Sequence, residues 1–309
     1  MDINKQTKLI QYCRFSQPQL KAFLEGELVR RRGKERVENR NGFLYSPGSH
    51  PVLLVAHLDT VHKKTPTTFY LSHDNDLSCN EGIGGDDRCG VFIIMELIET
   101  LDCHVLFTED EETGGRGAIR FSESGISPEV QYIVEFDRQG KDDAVFYGCV
   151  NEPFTEFIEQ HGFWQNIGSF SDISYIAPAT GIAAVNLSSG YYHAHTAREI
   201  IRMSDLESIL ERAARLIANV DTKYEYVDEE HGDWATDWER DMRCPYCAQT
   251  IDNTVFHDYC PHCDSFLHLP CDDCGHADWV ENCVAIPNSI YCKYCLDAPL
   301  SQPFLAFVG

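Results

Sequence analysis

Residues 52–62 read VLLVAHLDTVH. The apolar run up to Leu58 is short, rich in branched side chains and bounded by polar residues, so it predicts a buried strand. His57 and Asp59 stand two apart at its end, which points both side chains the same way. A carboxylate in that position can sit beside a metal-binding imidazole and fix its orientation. The same spacing fits an ordinary polar strand end with one satisfied histidine. The neighbouring stretches must decide between the two.

Those stretches repeat the pattern. CHVLFTE (103–109), VQYIVEF (130–136) and GIAAVNLS (181–188) read as further buried strands. GVFIIMELIETL (90–101) and SDLESILERAARLIANV (204–220) read as helices. Ser204 is the expected N-cap of the second, with Glu207 three residues on as in a capping box. Strands alternating with helices predict an α/β layered fold with a largely parallel sheet.

Acids and histidines collect where these elements end. GIGGDDRCG places Asp86 and Asp87 after a glycine run, at the start of a helix. Adjacent carboxylates are awkward without a balancing cation, although acids also suit a helix N-terminus. VLFTEDEETGGRGA runs a strand into four consecutive acids, which reads as an exposed loop or as part of a cation site. QYIVEFDRQG ends a strand in Asp137, and GIAAVNLSSGYYHAHTARE delivers His193 and His195. Each piece is ambiguous, but their order is not. His-x-Asp, Asp-Asp, Glu-Glu, Asp and His follow one another mostly at carboxyl ends of strands, where open α/β sheets place their sites.

Through AHLDTV, GGDDRCG, DEETGGRGA, EFD and YYHAHTARE, residues 1–220 resemble the co-catalytic dizinc exopeptidases of clan MH: aminopeptidases, peptidase T and related carboxypeptidases. The N-terminal segment fits as well, with an amphipathic helix followed by RNGFLYSPGSHPVLLVAHLDTV. The resemblance implies a phosphorylase/hydrolase-like, three-layer α/β/α zinc exopeptidase fold. It also implies roles. Asp86 bridges two zinc ions, next to an Asp86–Asp87 bond that is cis. His57 and Asp137 complete one zinc, and Glu112 and His195 the other. Asp59 orients His57, and Glu111 is the general base. His195 is preferred to His193 because HTARE matches the family's His-Thr/Ser-x-x-Glu signature; His193 is then a substrate contact or a surface residue. Asp172, in SFSDISYIA, is either a residue near the substrate pocket, as in some relatives, or part of a helix N-cap.

The implied chemistry suits these residue types. Paired zincs about 3.5–4 Å apart bind a bridging water and lower its pKa towards 7. Glu111 takes its proton and returns it to the leaving amine. A mixed imidazole and carboxylate shell suits zinc, with manganese and cobalt as alternatives. The chain departs from larger relatives in having no room for an inserted lid or dimerisation domain between His57 and Asp86 or between Asp137 and His195. Part of the pocket is then expected from the C-terminal module or from a second subunit of a homo-oligomer.

Composition narrows the classes. The formal charge of −24 over 309 residues disfavours phosphate backbones and anionic membranes. The opening MDINKQTKLIQYCRF is polar and mixed and does not read as a secretion signal, and the longest apolar runs are too short to span a bilayer. The expectation is a cytoplasmic protein that binds neither nucleic acid nor membrane. Of 14 cysteines, nine lie between Cys244 and Cys295. In a chain without a secretion signal that reads as metal binding rather than disulfides.

The pairs Cys244-x2-Cys247, Cys260-x2-Cys263, Cys271-x2-Cys274 and Cys292-x2-Cys295 predict two structural zincs, paired in sequence as ribbons. A cross-brace pairing resembling a PHD finger is the rival, using His268 and Cys271 and leaving Cys274 unused. Cys283 has no partner in either scheme and reads as a buried thiol. Residues 221–309 carry 17 acids against four basic residues, so this module is expected to be structural or to contact a protein partner. The organisation expected is a dizinc peptidase-like catalytic domain over 1–220, an acidic linker over 221–243 and a zinc-binding module over 244–309.

The expected function is zinc-dependent hydrolysis of a peptide or amide bond, most simply as an aminopeptidase on short peptides. The alternatives are an N-acyl amino acid deacylase or carboxypeptidase, and a catalytically silent zinc-finger binding protein on a peptidase scaffold. The presence of all five ligands with Asp59 and Glu111 speaks against the silent scaffold.

Overall fold

The computed structural model describes residues 1–168, 170–218 and 220–228, and beyond them the backbone of six short strands between 242 and 292. The chain divides into two compact units, Met1–Glu229 and Glu230–Gly309.

In the first unit the described helices are α1 (Ile3–Arg14), α2 (Gln17–Arg32), α3 (Gly85–Leu97), α4 (Arg116–Ser122), α5 (Glu152–Glu159), α6 (Ile173–Thr180) and α7 (Met203–Ala218). The strands are β1 (Glu38–Arg40), β2 (Phe43–Ser46), β3 (His50–His57), β4 (Tyr70–Leu71), β5 (Asp76–Ser78), β6 (Cys103–Thr108), β7 (Tyr132–Arg138), β8 (Asp143–Val145), β9 (Trp164–Gln165), β10 (Ala184–Ser188), β11 (Tyr191–Tyr192) and β12 (Ile200–Arg202). Eight form the main sheet in the order β1-β2-β6-β3-β7-β10-β8-β9. Its centre, β6-β3-β7-β10, is parallel, and β2 and β8 join it antiparallel. A smaller sheet, β11-β12-β5-β4, holds the segment after β10 beside the segment before α3.

The period of two along β3 sorts its side chains between two cores. Val52, Leu54 and Ala56 pack with Leu9 of α1, Leu24 of α2, Phe92 of α3, Phe154 of α5 and Leu206 of α7. Leu53 and Val55 pack on the opposite face with Phe121 of α4 and Ile176 of α6. The sheet is therefore sandwiched between helices, giving three α/β/α layers. This is the fold class expected from the sequence.

Local differences from the expected elements have simple causes. The N-terminal segment forms two helices rather than one, because Ser16 caps α2 in a capping box with Gln19 and Pro18 occupies its first turn. The helix expected from residue 90 starts at Gly85. The last helix starts at Met203, so Ser204 lies inside its first turn and is not its N-cap. Its buried residues Met203, Leu206, Ile209, Ala213, Leu216 and Ile217 follow the helical period.

Gly90 lets α3 lie against the sheet. A Cβ there would stand 2.2 Å from the Phe136 carbonyl oxygen and 2.4 Å from Asp87 Oδ1. Gly90→Ala gains about 1 kcal/mol of helix propensity, but the backbone oxygen cannot move without shifting β7. The expected net result in urea unfolding is destabilisation, approaching the upper end of the ~1–3 kcal/mol typical of overpacking.

After α7 the chain runs extended along the first unit. Tyr224 N–H donates to the Gln131 carbonyl and Tyr226 N–H to the Gly181 carbonyl, and Val150 N–H donates to the Val227 carbonyl. Compact packing thus reaches to about Glu229.

In the second unit the described strands form three two-stranded hairpins: β13 (Met242–Arg243) with β14 (Thr250–Ile251), β15 (His268–Pro270) with β16 (Ala277–Trp279), and β17 (Cys283–Ile286) with β18 (Ser289–Cys292). In sequence, the first two bracket Cys244–Cys247 and Cys271–Cys274. Cys244, Cys247, Cys260, Cys263, Cys271, Cys274 and Cys295 lie outside the described residues. His268, Cys283 and Cys292 are placed by their backbone on strands. Among the described residues, no helix is long and apolar enough to cross a membrane.

Candidate active site

The parallel centre of the main sheet ends on one side in His57 (β3), Thr108 (β6) and Asp137 (near the end of β7). The loop after β6 carries Glu111 and Glu112. Asp86 enters from the glycine turn that starts α3, and His195 from the loop between β11 and β12. The carboxyl-end placement expected for an open α/β sheet is met.

Asp86 stands between the two imidazoles. Its Oδ1 lies 3.0 Å from His57 Nε2 and its Oδ2 lies 3.1 Å from His195 Nε2. Asp137 Oδ1 is 3.4 Å from His57 Nε2, and Glu112 Oε2 is 3.2 Å from His195 Nε2. Two ligand sets result, His57/Asp86/Asp137 and Asp86/Glu112/His195, each with ligand atoms within 4.8 Å of one another. His57, Glu111 and Glu112 bring ligand atoms equally close together. The first two sets share Asp86 through different oxygens, which makes them the more natural pair. The Asp86–Asp87 peptide is cis. His193 is exposed, belongs to none of these sets among the described residues, and its carbonyl accepts from Thr196 Oγ1.

Asp59 holds the floor of the site. Its Oδ1 accepts from the Glu111 N–H at 3.1 Å and its Oδ2 from the Glu112 N–H at 3.0 Å. Asp59 Oδ1 also lies 3.4 Å from His57 Nδ1. One carboxylate therefore holds the backbone of both glutamates and faces the His57 ring. Asp87 does not turn into the ligand sets: its oxygens accept from the N–H groups of His57 and Gly90.

The electrostatics describe a buried excess of carboxylates. Burial, helped by Asp137, Asp172 and Glu112, pushes Glu111 up to about 9 despite the opposing His57. Burial and Asp86 push Asp137 up to about 7. Burial would keep His57 neutral, but Asp137, Asp59 and Asp86 drive it well above its ordinary value. Hydrogen bonds to Asp86 and Glu112 raise His195 to about 11. Burial acts to raise Asp86 too, yet contacts with His195 and His57 hold it below the usual carboxylate range. Glu112 Oε1 is buried without a hydrogen-bond partner among the described residues. Crowded carboxylates, imidazoles aimed at them and an orphaned oxygen form a donor set that fits divalent cations.

A second polar cluster lies behind the site, and the sequence reading missed most of it. Glu135 is fully buried on β7 and accepts from Ser171 Oγ, which also accepts from Asn186 Nδ2 at 3.1 Å. Burial and the nearby Asp172 and Asp137 raise Glu135 well above its ordinary range. A charged residue inside the apolar run VQYIVEF was the available signal. Asp172 occupies the N-cap position of α6 but makes no cap hydrogen bond; its carboxylate accepts from Thr108 Oγ1 instead. The helix N-cap expected of Asp172 is thus met by its position, while the strand-end hydroxyl of Thr108 takes its side chain. Tyr191, one of the residues in the YYHAHTARE motif, donates to Asp137 Oδ1 at 3.3 Å.

Comparison with known proteins agrees with this architecture. No protein-family model matches the chain, and no curated protein matches it by sequence. Solved structures do match. The aminopeptidase PepT from Bacillus cereus superposes with a TM-score of 0.53 at 14% identity, over 70% of this chain and 98% of that one. A tripeptidase from Staphylococcus aureus gives 0.54 at 10% identity, over 69% and 96%. An aminopeptidase from the archaeon Desulfurococcus kamchatkensis gives 0.50 at 16% identity, over 71% and 96%. The chain has the fold of these peptidases. At such identities the likeness is one of fold.

Proposed function

We propose that the first unit is a zinc-dependent hydrolase of peptide or amide bonds, acting as an aminopeptidase-type exopeptidase. The observation that carries this reading is the division of Asp86 between His57 and His195, with Asp137 and Glu112 completing each side. His57, Asp86 and Asp137 would hold one zinc; Asp86, Glu112 and His195 the other. When bound, the pair supplies Lewis acidity for the scissile carbonyl and acidifies the attacking water.

The protein's own groups do the rest. Glu111 takes the proton of the water and delivers it to the leaving amine. Asp59 keeps Glu111 and Glu112 in place through their backbone N–H groups, so that the base does not swing away between turnovers. Asp59 also faces His57 Nδ1 at 3.4 Å, the side from which a carboxylate orients a metal-ligating imidazole. The fold similarity to two aminopeptidases and a tripeptidase supports peptides as the substrate class. In this reading residues 244–309 form a separate module with two structural zincs on its four CxxC pairs, and the protein works in the cytoplasm.

The test is a panel of di- and tripeptides and aminoacyl anilides with free N-termini, beside N-acetylated amino acids, assayed with zinc, manganese or cobalt and with chelator. Hydrolysis of free-N-terminal substrates, lost with chelator and regained with metal, is the expected result. Turnover confined to N-acyl substrates would replace the exopeptidase reading with a deacylase. No turnover in any arm would leave a silent scaffold.

A further inference from the structure

From the hydrogen bonds around Glu199 we infer that it is a positioning residue for the dinuclear centre. It would fix the place of Asp86 relative to His195, and His62 would be its partner. The inference rests on the two-metal reading above.

Glu199 is fully buried, yet it belongs to neither ligand set. Its Oε1 accepts from the Asp86 N–H at 2.9 Å, and its Oε2 accepts from the Gly84 N–H at 2.8 Å. His62 Nε2 donates to the same Oε2 at 2.8 Å. Both carboxylate oxygens are therefore spent on the turn that carries Asp86. The residue itself stands four positions after His195, so one side chain ties together the two loops whose side chains meet at 3.1 Å. A buried carboxylate that accepts three hydrogen bonds makes a stiff link, since charge-assisted bonds are the stronger kind.

The surrounding glycines fit this role. Gly84 has φ of +68°, a left-handed conformation that turns its N–H and that of Asp86 towards one acceptor. A Cβ on Gly85 would lie 3.2 Å from Glu199 Oε1 and 2.7 Å from Tyr191 Cβ, so a larger residue would push the turn away from the carboxylate. A Cβ on Gly82 would fall 2.0 Å from the His62 ring. The run EGIGGDD is thus shaped to admit Glu199 and His62 as well as to start α3. An ordinary buried carboxylate would need partners, but it would not need the backbone of a ligand residue to be one of them.

The experiment compares the full chain as wild type, Glu199→Gln, Glu199→Asp, His62→Gln and Asp86→Ala. Each is stripped and then titrated with zinc against a chromogenic chelator, with thermal unfolding measured alongside. Wild type minus Asp86→Ala counts the zincs of this centre apart from those of the cysteines. Glu199→Gln presents an amide N–H to one backbone N–H, so its zinc affinity at this centre is expected to fall about 10–100-fold, as for other partners of metal ligands. Glu199→Asp, which keeps the charge, should recover part of it. His62→Gln should weaken binding in the same direction but less. A folded Glu199→Gln that binds zinc as tightly as wild type overturns the inference, whatever its melting temperature. If Glu199→Gln does not fold, unchanged zinc affinity in His62→Gln overturns it. Equal zinc content in wild type and Asp86→Ala would instead defeat the two-metal reading itself.

Discussion

Glu111→Gln is expected to lower kcat by about 10²–10⁴-fold while leaving the zinc content unchanged. The size follows from what a positioned acid–base group contributes to proton transfer. The metal should stay because Glu111 is outside the two ligand sets that share Asp86. Gln keeps the shape of Glu and cannot accept a proton at neutral pH. The backbone bond from residue 111 to Asp59 Oδ1 does not depend on the side chain, so the loop should hold its conformation. Steady-state kinetics with elemental analysis of the same sample checks both halves. Full activity would remove Glu111 from the role of base. Loss of metal together with activity would make it a ligand, which is the arrangement that the His57/Glu111/Glu112 grouping describes.

Asp86→Ala is expected to have the larger effect, because one substitution takes an oxygen from each half of the site. His57 would keep Asp137 as its carboxylate neighbour, and His195 would keep Glu112, but no group would remain common to both. The expected outcome is loss of detectable hydrolysis and a fall of about two zincs per chain, from about four to about two. A second readout is stability. Ligand that binds only the folded protein stabilises it by about 2.7 kcal/mol at a hundred times its Kd. Added zinc should therefore raise the melting temperature of stripped wild type and raise that of Asp86→Ala much less. Equal shifts in the two proteins would place the zinc elsewhere.

Glu111 and Asp86 belong to motifs that the local sequence itself marks. Short apolar runs marked β3, β6, β7 and β10, since a strand buried on both faces must be apolar along its length. The glycine run and the acids after it marked the start of α3. The order of His57, Asp86, Glu112, Asp137 and His195 is legible as a pattern because each sits at an element end or in the loop that follows one, where the local sequence itself dictates the turn. The interior networks behaved differently. Glu135, Ser171 and Asn186 meet only because β7, β10 and the approach to α6 are adjacent in space, and nothing local to any of them announces the others.

The sequence by itself determined the alternation of strands and helices, the surplus of acidic charge and the identity of the groups able to bind metal. Those properties depend on neighbours a few residues apart, through side-chain period and turn chemistry. Only the tertiary structure decided that the Asp172 side chain turns to Thr108 and that Glu199 grips the turn bearing Asp86. Each of those choices pairs a buried carboxylate with a partner 64 to 113 residues away, as Asp172 with Thr108 and Glu199 with Asp86. A buried donor or acceptor must find a partner wherever the packing puts one, and that is settled by the layers of the fold.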